Sequence, residues 1–418
     1  MRSIAASVLS LIATVLGMLA LVLGWVLTTE AGLEFTLRQI HGLMPERFAV
    51  SAVEGRLIGP LTIHNLKLET PSSRLTADSI NFDWSPSRLI IGEVVIERLH
   101  VRNVILTSYG TQPVEEEPTG APIDFGALLQ PPIAIELHDI ALRHFEYRAP
   151  GSKPFVIQHA ELAAGLDTRG LHVDKLRAHG PLFAIHGHAM IEPQGVHPTR
   201  GELHWQARLP DYPTAVGHMT LSGSLQELHV EQRIEAPYST RARVVLNDVL
   251  ADPHFQAEVQ LNTIELRAIG AELPSLTLSA TAHAKGRASD IDYSARATVI
   301  DPAQGTFKLM LDGGLQRQII AIRRLALKVV GTPARLQANG QVDLSAKQPE
   351  LDLQGDWQAL RWPLQGEPRF TSPRGTVKLT GTPQDLTARL DAAVGDDGGI
   401  SARVRREQDK IDLALDWH

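Results

Sequence analysis

The sequence predicts an all-β protein: a long series of one-sided strands that follows an N-terminal transmembrane helix and a short juxtamembrane helix. Three observations carry this expectation. From Ile4 to Leu27 the chain holds 24 consecutive uncharged residues; at about 1.5 Å per residue that helix is roughly 36 Å long, enough to cross a bilayer with some tilt. Beyond Arg47 the apolar residues recur with period two, as half-buried strands require. No second amphipathic helix of ten or more residues interrupts them, which argues against βαβ architecture.

The expected organisation is an anchor over residues 1–29, a juxtamembrane helix over 30–45, a first β-segment over 46–109, a flexible Pro/Glu loop over 110–122 and a long β-region over 123–418. The anchor lacks the short apolar core and small-residue site of a cleaved signal peptide. Arg2 is the only positive charge before it, so the positive-inside bias puts the N-terminus in the cytoplasm, and Trp25 suits the far interface. Leu33, Leu37, Ile40 and Met44 recur at helical spacing until Pro45 ends the pattern. The stretch "YGTQPVEEEPTGAP" offers three prolines and three adjacent glutamates with almost nothing to bury, so it reads as solvated chain.

The alternating runs supply the candidate site residues: Leu61 and Ile63; Ile133, Ile135 and Leu137; Leu203, Trp205 and Leu209; Phe255, Val259 and Leu261; Phe307, Leu309 and Leu311; Leu351 and Leu353; and the closing Ile411, Leu413, Leu415 and Trp417. Turn chemistry separates the runs at 85–87, 149–154, 192–195 and 396–399. A loose repeat, G-[ST]-x-x-x-L-x-[AV], starts at Gly223, Gly331 and Gly381; each copy lies between strand-like runs, as a hairpin corner would.

Composition excludes much. The chain is 43% apolar and 21% charged with formal net charge −7, so no nucleic-acid surface is indicated. It has no cysteine, which removes disulfides, zinc-thiolate sites and thiol nucleophiles. No nucleophile elbow, phosphate loop, dinucleotide fingerprint or H-E-x-x-H motif is present. No enzyme activity, cofactor or metal is therefore expected. His186 and His188 share a strand face near His179, but without a matched third ligand they read as solvent-face histidines; the aspartates of "DID" at 290–292 read as a polar face.

The remaining problem is physical. At about 11 residues per strand and turn, roughly 35 one-sided strands must cover their apolar faces. Either they pack as sandwiches, or one sheet curls round its own apolar side and holds lipid chains or partner strands there. Pattern alone leaves both open.

Several phrases resemble one family. "TTEAGLEFTLRQI", then Val53, Gly55, Leu57, Gly59 and Leu61 in "VEGRLIGPL", then Trp84, Pro86, Leu89, Gly92, Ile96 and Leu99 along "WSPSRLIIGEVVIERL", and "GDWQALRWPL" from Gly355, resemble in that order the N-terminal region of TamB in the AsmA-like superfamily. The resemblance implies an elongated twisted β-sheet trough, anchored in the bacterial inner membrane with its bulk in the periplasm. It implies phospholipids as cargo, carried towards the outer membrane, and an outer-membrane barrel of the TamA type as partner through a C-terminal part not matched here. The alternative is a scaffold that assists barrel assembly by strand addition; a glycan-active β enzyme is a third reading without a carboxylate pair to support it.

Overall fold

Alternation of apolar and polar residues pays off only when neighbouring strands agree on which face is apolar, and pairing register shows whether they do. The computed structural model describes residues 48–109, 129, 131–210, 212–270, 272–345, 348–364, 367–395, 398–407 and 410–417. The expected anchor, juxtamembrane helix and Pro/Glu loop lie outside these. Among the described residues no helix is long and apolar enough to cross a membrane. Twenty-four strands are described, fewer than the 35 expected, because strands are longer than assumed: most span eight to sixteen residues. The chain divides into two units at Arg208/Leu209, a division not expected from sequence.

The first unit holds β1 (Phe48–Ala49), β2 (Ala52–Gly55), β3 (Leu61–Glu69), β4 (Ser73–Trp84), β5 (Glu93–Ser108), β6 (Ala134–Arg148), β7 (Phe155–Asp167), β8 (Gly170–His179), β9 (Phe183–Ile191) and β10 (Thr199–Ala207). β1 and β2 both pair with β3. From β3 to β10 each strand pairs with the next, antiparallel except for β5 with β6. A parallel step needs a dozen or more residues between its strands, and 25 separate β5 from β6.

Here strict alternation breaks, and pairing shows why. Apolar residues fall at 61, 63, 66 and 68 in β3, at 99, 101, 104 and 106 in β5, and at 140, 142, 145 and 147 in β6. Each step of three spans a left-handed residue: Asn65, Asn103 or His144, with φ of 51°, 52° and 59°. Asn and His tolerate this conformation better than most residues, and one such residue resets which face the following side chains take. Apolar pairs therefore continue past it, with Ile63 opposite Ile80 and then Leu66 opposite Ala77, and with Val101 opposite Leu142 and then Val104 opposite Phe145. Asn103 Nδ2 donates to Asp78 Oδ2 at 2.7 Å, tying the irregularity together across β4 and β5.

The second unit is an antiparallel meander of fourteen strands: β11 (Ala215–Gly223), β12 (Glu227–Ala236), β13 (Thr240–Asn247), β14 (His254–Glu265), β15 (Thr277–Arg287), β16 (Asp290–Asp301), β17 (Gly305–Gln316), β18 (Ile319–Val329), β19 (Arg335–Asp343), β20 (Glu350–Trp362), β21 (Phe370–Gly381), β22 (Asp385–Val394), β23 (Gly398–Glu407) and β24 (Lys410–Trp417). Each pairs with its successor. The repeated Gly phrases are hairpin corners, as expected. Gly223 and Gly381 have φ of 105° and 112°, and a Cβ on either would stand 2.3 or 2.1 Å from the carbonyl oxygen of Glu227 or Asp385.

Full burial is scarce. Eleven apolar residues among those described are buried, including Val95, Val104, Ile264 and Trp357. One small cluster closes an end of the second unit: Val329, Ala334 and Leu364, with Phe307 packed against them. Leu364 is held there by its N–H donating to Gln304 Oε1 at 3.1 Å and by Arg361 donating to its carbonyl.

Candidate functional site

Residues paired across a ladder share a face, so register can be followed from strand to strand. Starting at Leu221 of β11, it runs through Val230, Val244, Ala257, Ala284, Tyr293, Gly313, Ile322, Gly340, Leu353, Leu379, Ala388 and Val404 to Leu413 of β24. All fourteen strands contribute one residue, and each is apolar or glycine. The thirteen steps, at about 4.8 Å each, extend the row roughly 60 Å. A second row from Leu261 passes through Ala280, Ala297, Leu309, Leu327, Leu336, Trp357, Gly375, Ala392 and Ile400 to Trp417.

The adjacent row has the opposite character. Eleven of its fourteen residues are polar or charged, namely Ser222, His229, Gln256, Lys285, Asp292, Gln341, Asp352, Thr380, Thr387, Arg405 and Asp412, and the other three are Val245, Gly314 and Ala321. Cross-strand ion pairs lace this polar face, among them Arg243–Glu231 at 3.1 Å and Arg323–Asp292 at 2.7 Å. Such exposed pairs add little stability; they mark the side that meets water. An open cleft of about 620 Å³ lies there, between side chains that include Arg243, Glu258, His283 and Asp292.

The candidates from sequence fall as follows. Phe255, Val259, Leu261, Phe307, Leu309, Leu311, Leu351, Leu353, Ile411, Leu413, Leu415 and Trp417 are on the apolar face of the second unit by register. In the first unit Leu61, Ile63, Ile135, Leu137, Leu203 and Trp205 pair with apolar residues or glycine. Ile133 precedes β6 and Leu209 follows β10, so neither belongs to a ladder. The alternation rule missed Leu66, Ile140 and Leu325, which sit three residues beyond the preceding apolar position. The signal that could have found them is an Asn, His or charged pair inside a step of three.

This face is not sealed. Packing between two layers would bury such side chains fully, whereas Leu309, Leu353 and Leu379 are half-buried and Val259 is 39% exposed. On β24 exposure reaches 61–68% for all four apolar side chains. Bulky residues lie opposite glycine in each unit: Trp357 opposite Gly375 and Tyr293 opposite Gly313 in the second, Leu203 opposite Gly187 in the first. A Cβ at Gly375 would come within 2.0 Å of the Trp357 ring, so the indole lies down over its neighbour and keeps the apolar layer thin. Trp357 Nε1 donates to Ser372 Oγ at 2.9 Å, which satisfies its one polar atom.

The histidines are on the polar face. His186 stacks on His204 with ring centroids 4.8 Å apart, and His179 lies 5.6 Å from His159. The side chains placed to share a metal ion are others: Glu136, Asp167 and His172. Burial pushes the Asp167 carboxyl up, but the hydrogen bonds and charge of Arg169 outweigh it and hold the group below the usual carboxylate range.

No solved structure matches the chain. The family model described as TamB, N-terminal domain, matches residues 19–402, a span that includes every described strand up to β22 and the first half of β23. The half-open, one-sided ladders and this match agree, and the chain belongs to the TamB N-terminal domain family.

Proposed function

We propose that the chain is a non-catalytic lipid conduit: a segment of an inner-membrane-anchored, periplasmic β-trough that carries phospholipids towards the outer membrane along its apolar face. Family membership supports a TamB-like role in the translocation and assembly module. The observation that carries the lipid reading is the apolar row of the second unit, unbroken through fourteen strands and only half-buried. Such a face offers acyl chains surroundings like the bilayer, about 0.8 kcal/mol per buried CH₂. Headgroups stay in water beside it. The uncharged run at 4–27 supports anchoring, and a barrel of the TamA type is the distal partner that the family implies.

The test is photo-crosslinking in cells, with a photoreactive residue at Leu309 or Leu379 on the apolar face and at Lys308 or Lys378 on the polar one. Phospholipid adducts from the leucine positions alone are expected. Equal labelling from both faces, or none, overturns the proposal. Substitutions such as Leu203→Lys, Trp205→Glu and Val259→Asp should block lipid transport while chain abundance stays normal.

The second reading, a scaffold that assists barrel proteins by strand addition, is supported by the same membership in the TamB N-terminal domain family. Crosslinks from β24 to barrel precursors, with no lipid adducts from Leu309, would select it.

A further inference from the structure

On the polar face of the first unit Glu136 of β6, Gly165 of β7 and His172 of β8 stand in one cross-strand row. A Cβ at Gly165 would come within 2.4 Å of Glu136 Oε2 and 2.5 Å of His172 Cε1. The glycine thus leaves a hole into which its two neighbours lean. Asp167, at the end of β7, reaches the same hole. Glu136, Asp167 and His172 each offer one donor atom, and these atoms lie within 4.8 Å of one another.

The imidazole is where the arrangement asks for a ligand. The His172 side chain is 4% exposed, and its Nδ1 is buried without a hydrogen-bond partner, 4.0 Å from Asp167 Oδ1. Buried polar atoms are ordinarily satisfied, so each exception calls for an explanation. His172 Nε2 faces Glu136 Oε2 at 3.5 Å and Arg169 Nη2 at 3.0 Å. Arg169 also donates to Asp167 at 2.7 Å and to Glu136 at 3.3 Å. Its side chain is 57% exposed, so it can rotate into solvent without opening a void. Asp174 Oδ2, 3.7 Å from His172 Nε2 and 70% exposed, is within reach as a further ligand.

We propose that Glu136, Asp167 and His172 bind a divalent transition-metal ion of the zinc class in the place now held by the Arg169 guanidinium. Mixed imidazole and carboxylate donors suit zinc and its neighbours, whereas calcium and magnesium take oxygen ligands. The ion would join β6, the β7–β8 turn and β8, bound through His172 Nε2, the nitrogen that Arg169 Nη2 now faces, with Nδ1 turned towards Asp167 Oδ1 at 4.0 Å.

The test uses the untagged full-length chain in detergent, stripped with chelator and titrated with zinc chloride. One zinc retained per chain after desalting and a raised melting temperature are expected. His172→Gln and Glu136→Gln should each weaken binding at least tenfold, Gly165→Ala should weaken it by filling the hole, and His186→Gln should leave it unchanged. Arg169→Gln removes the competing cation from an exposed position and should tighten binding. Loss of all retained zinc in the wild-type chain overturns the proposal, as does wild-type affinity in a folded His172→Gln variant. Weaker binding by Arg169→Gln also overturns it, which keeps the test decisive if the His172 variant fails to fold.

Discussion

Trp357 shows what one residue needs on an open apolar face. Its ring lies over Gly375, and its indole N–H donates to Ser372 Oγ, which in turn donates to the Ala393 carbonyl at 2.7 Å. Ser372→Ala leaves the indole donor unpaired in a buried position, and chemical denaturation should report a loss of about 1–3 kcal/mol. Gly375→Ala drives a methyl into the ring, so tryptophan fluorescence should shift as the indole lifts from the sheet. On the polar face of the first unit Lys175, and after it His159, hold the Glu161 carboxyl down at about 2, against an ordinary value of 4.5. A depressed carboxyl stabilises the fold fully above the unfolded value, and the contribution is lost as pH falls from about 4.5 towards 2. The stability gap between wild type and Glu161→Gln should therefore be present at pH 7 and close through that window. A gap independent of pH would rule the ion pair out as its cause.

Among the elements, β3 and β5 depend on their left-handed residues as much as on their apolar ones. Asn103→Val puts a β-branched side chain at φ of 52°, a conformation that costs roughly 1–2 kcal/mol. It also removes the bond to Asp78. The expected result is lower thermal stability together with faster amide exchange from 101 to 106, where the apolar register would slip. Asn103→Gly, which tolerates the backbone, should recover most of the loss. At the hairpin corner after β21, Gly381→Val meets both a positive φ and the Asp385 carbonyl. It should destabilise β21 and β22 more than Asn103→Val does β5. If the two were equal, close approach would have no energetic weight there.

For the molecule as a whole, the consequence of scarce burial is graded stability. Within each unit strands pair with ladder neighbours rather than packing round a shared core, so local stability adds up from adjacent pairings, much as in repeat proteins. Hydrogen exchange should show β24, exposed throughout, opening first. Protection should be greatest at the closed cluster where β17, β18 and the segment after β20 meet. A single exchange rate across the second unit would mean one cooperative core and contradict this picture. Occupancy by lipid would slow exchange along the apolar rows.

Much of this was legible in the sequence because period two is a local property. Leu351, Leu353, Ile411 and Leu413 declared their shared face through spacing alone, and the Gly223, Gly331 and Gly381 phrases declared their turns through backbone chemistry. The sequence by itself determined that the chain is strand-rich, one-sided and free of the common catalytic motifs. Only the tertiary structure decided that Leu66 and Ile63 share a face across Asn65, that β5 and β6 run parallel, and that Glu136, Asp167 and His172 gather over Gly165. The reason is physical: which side a strand residue takes depends on every φ before it, and which residues meet across strands depends on register, and neither is written in a single stretch of chain.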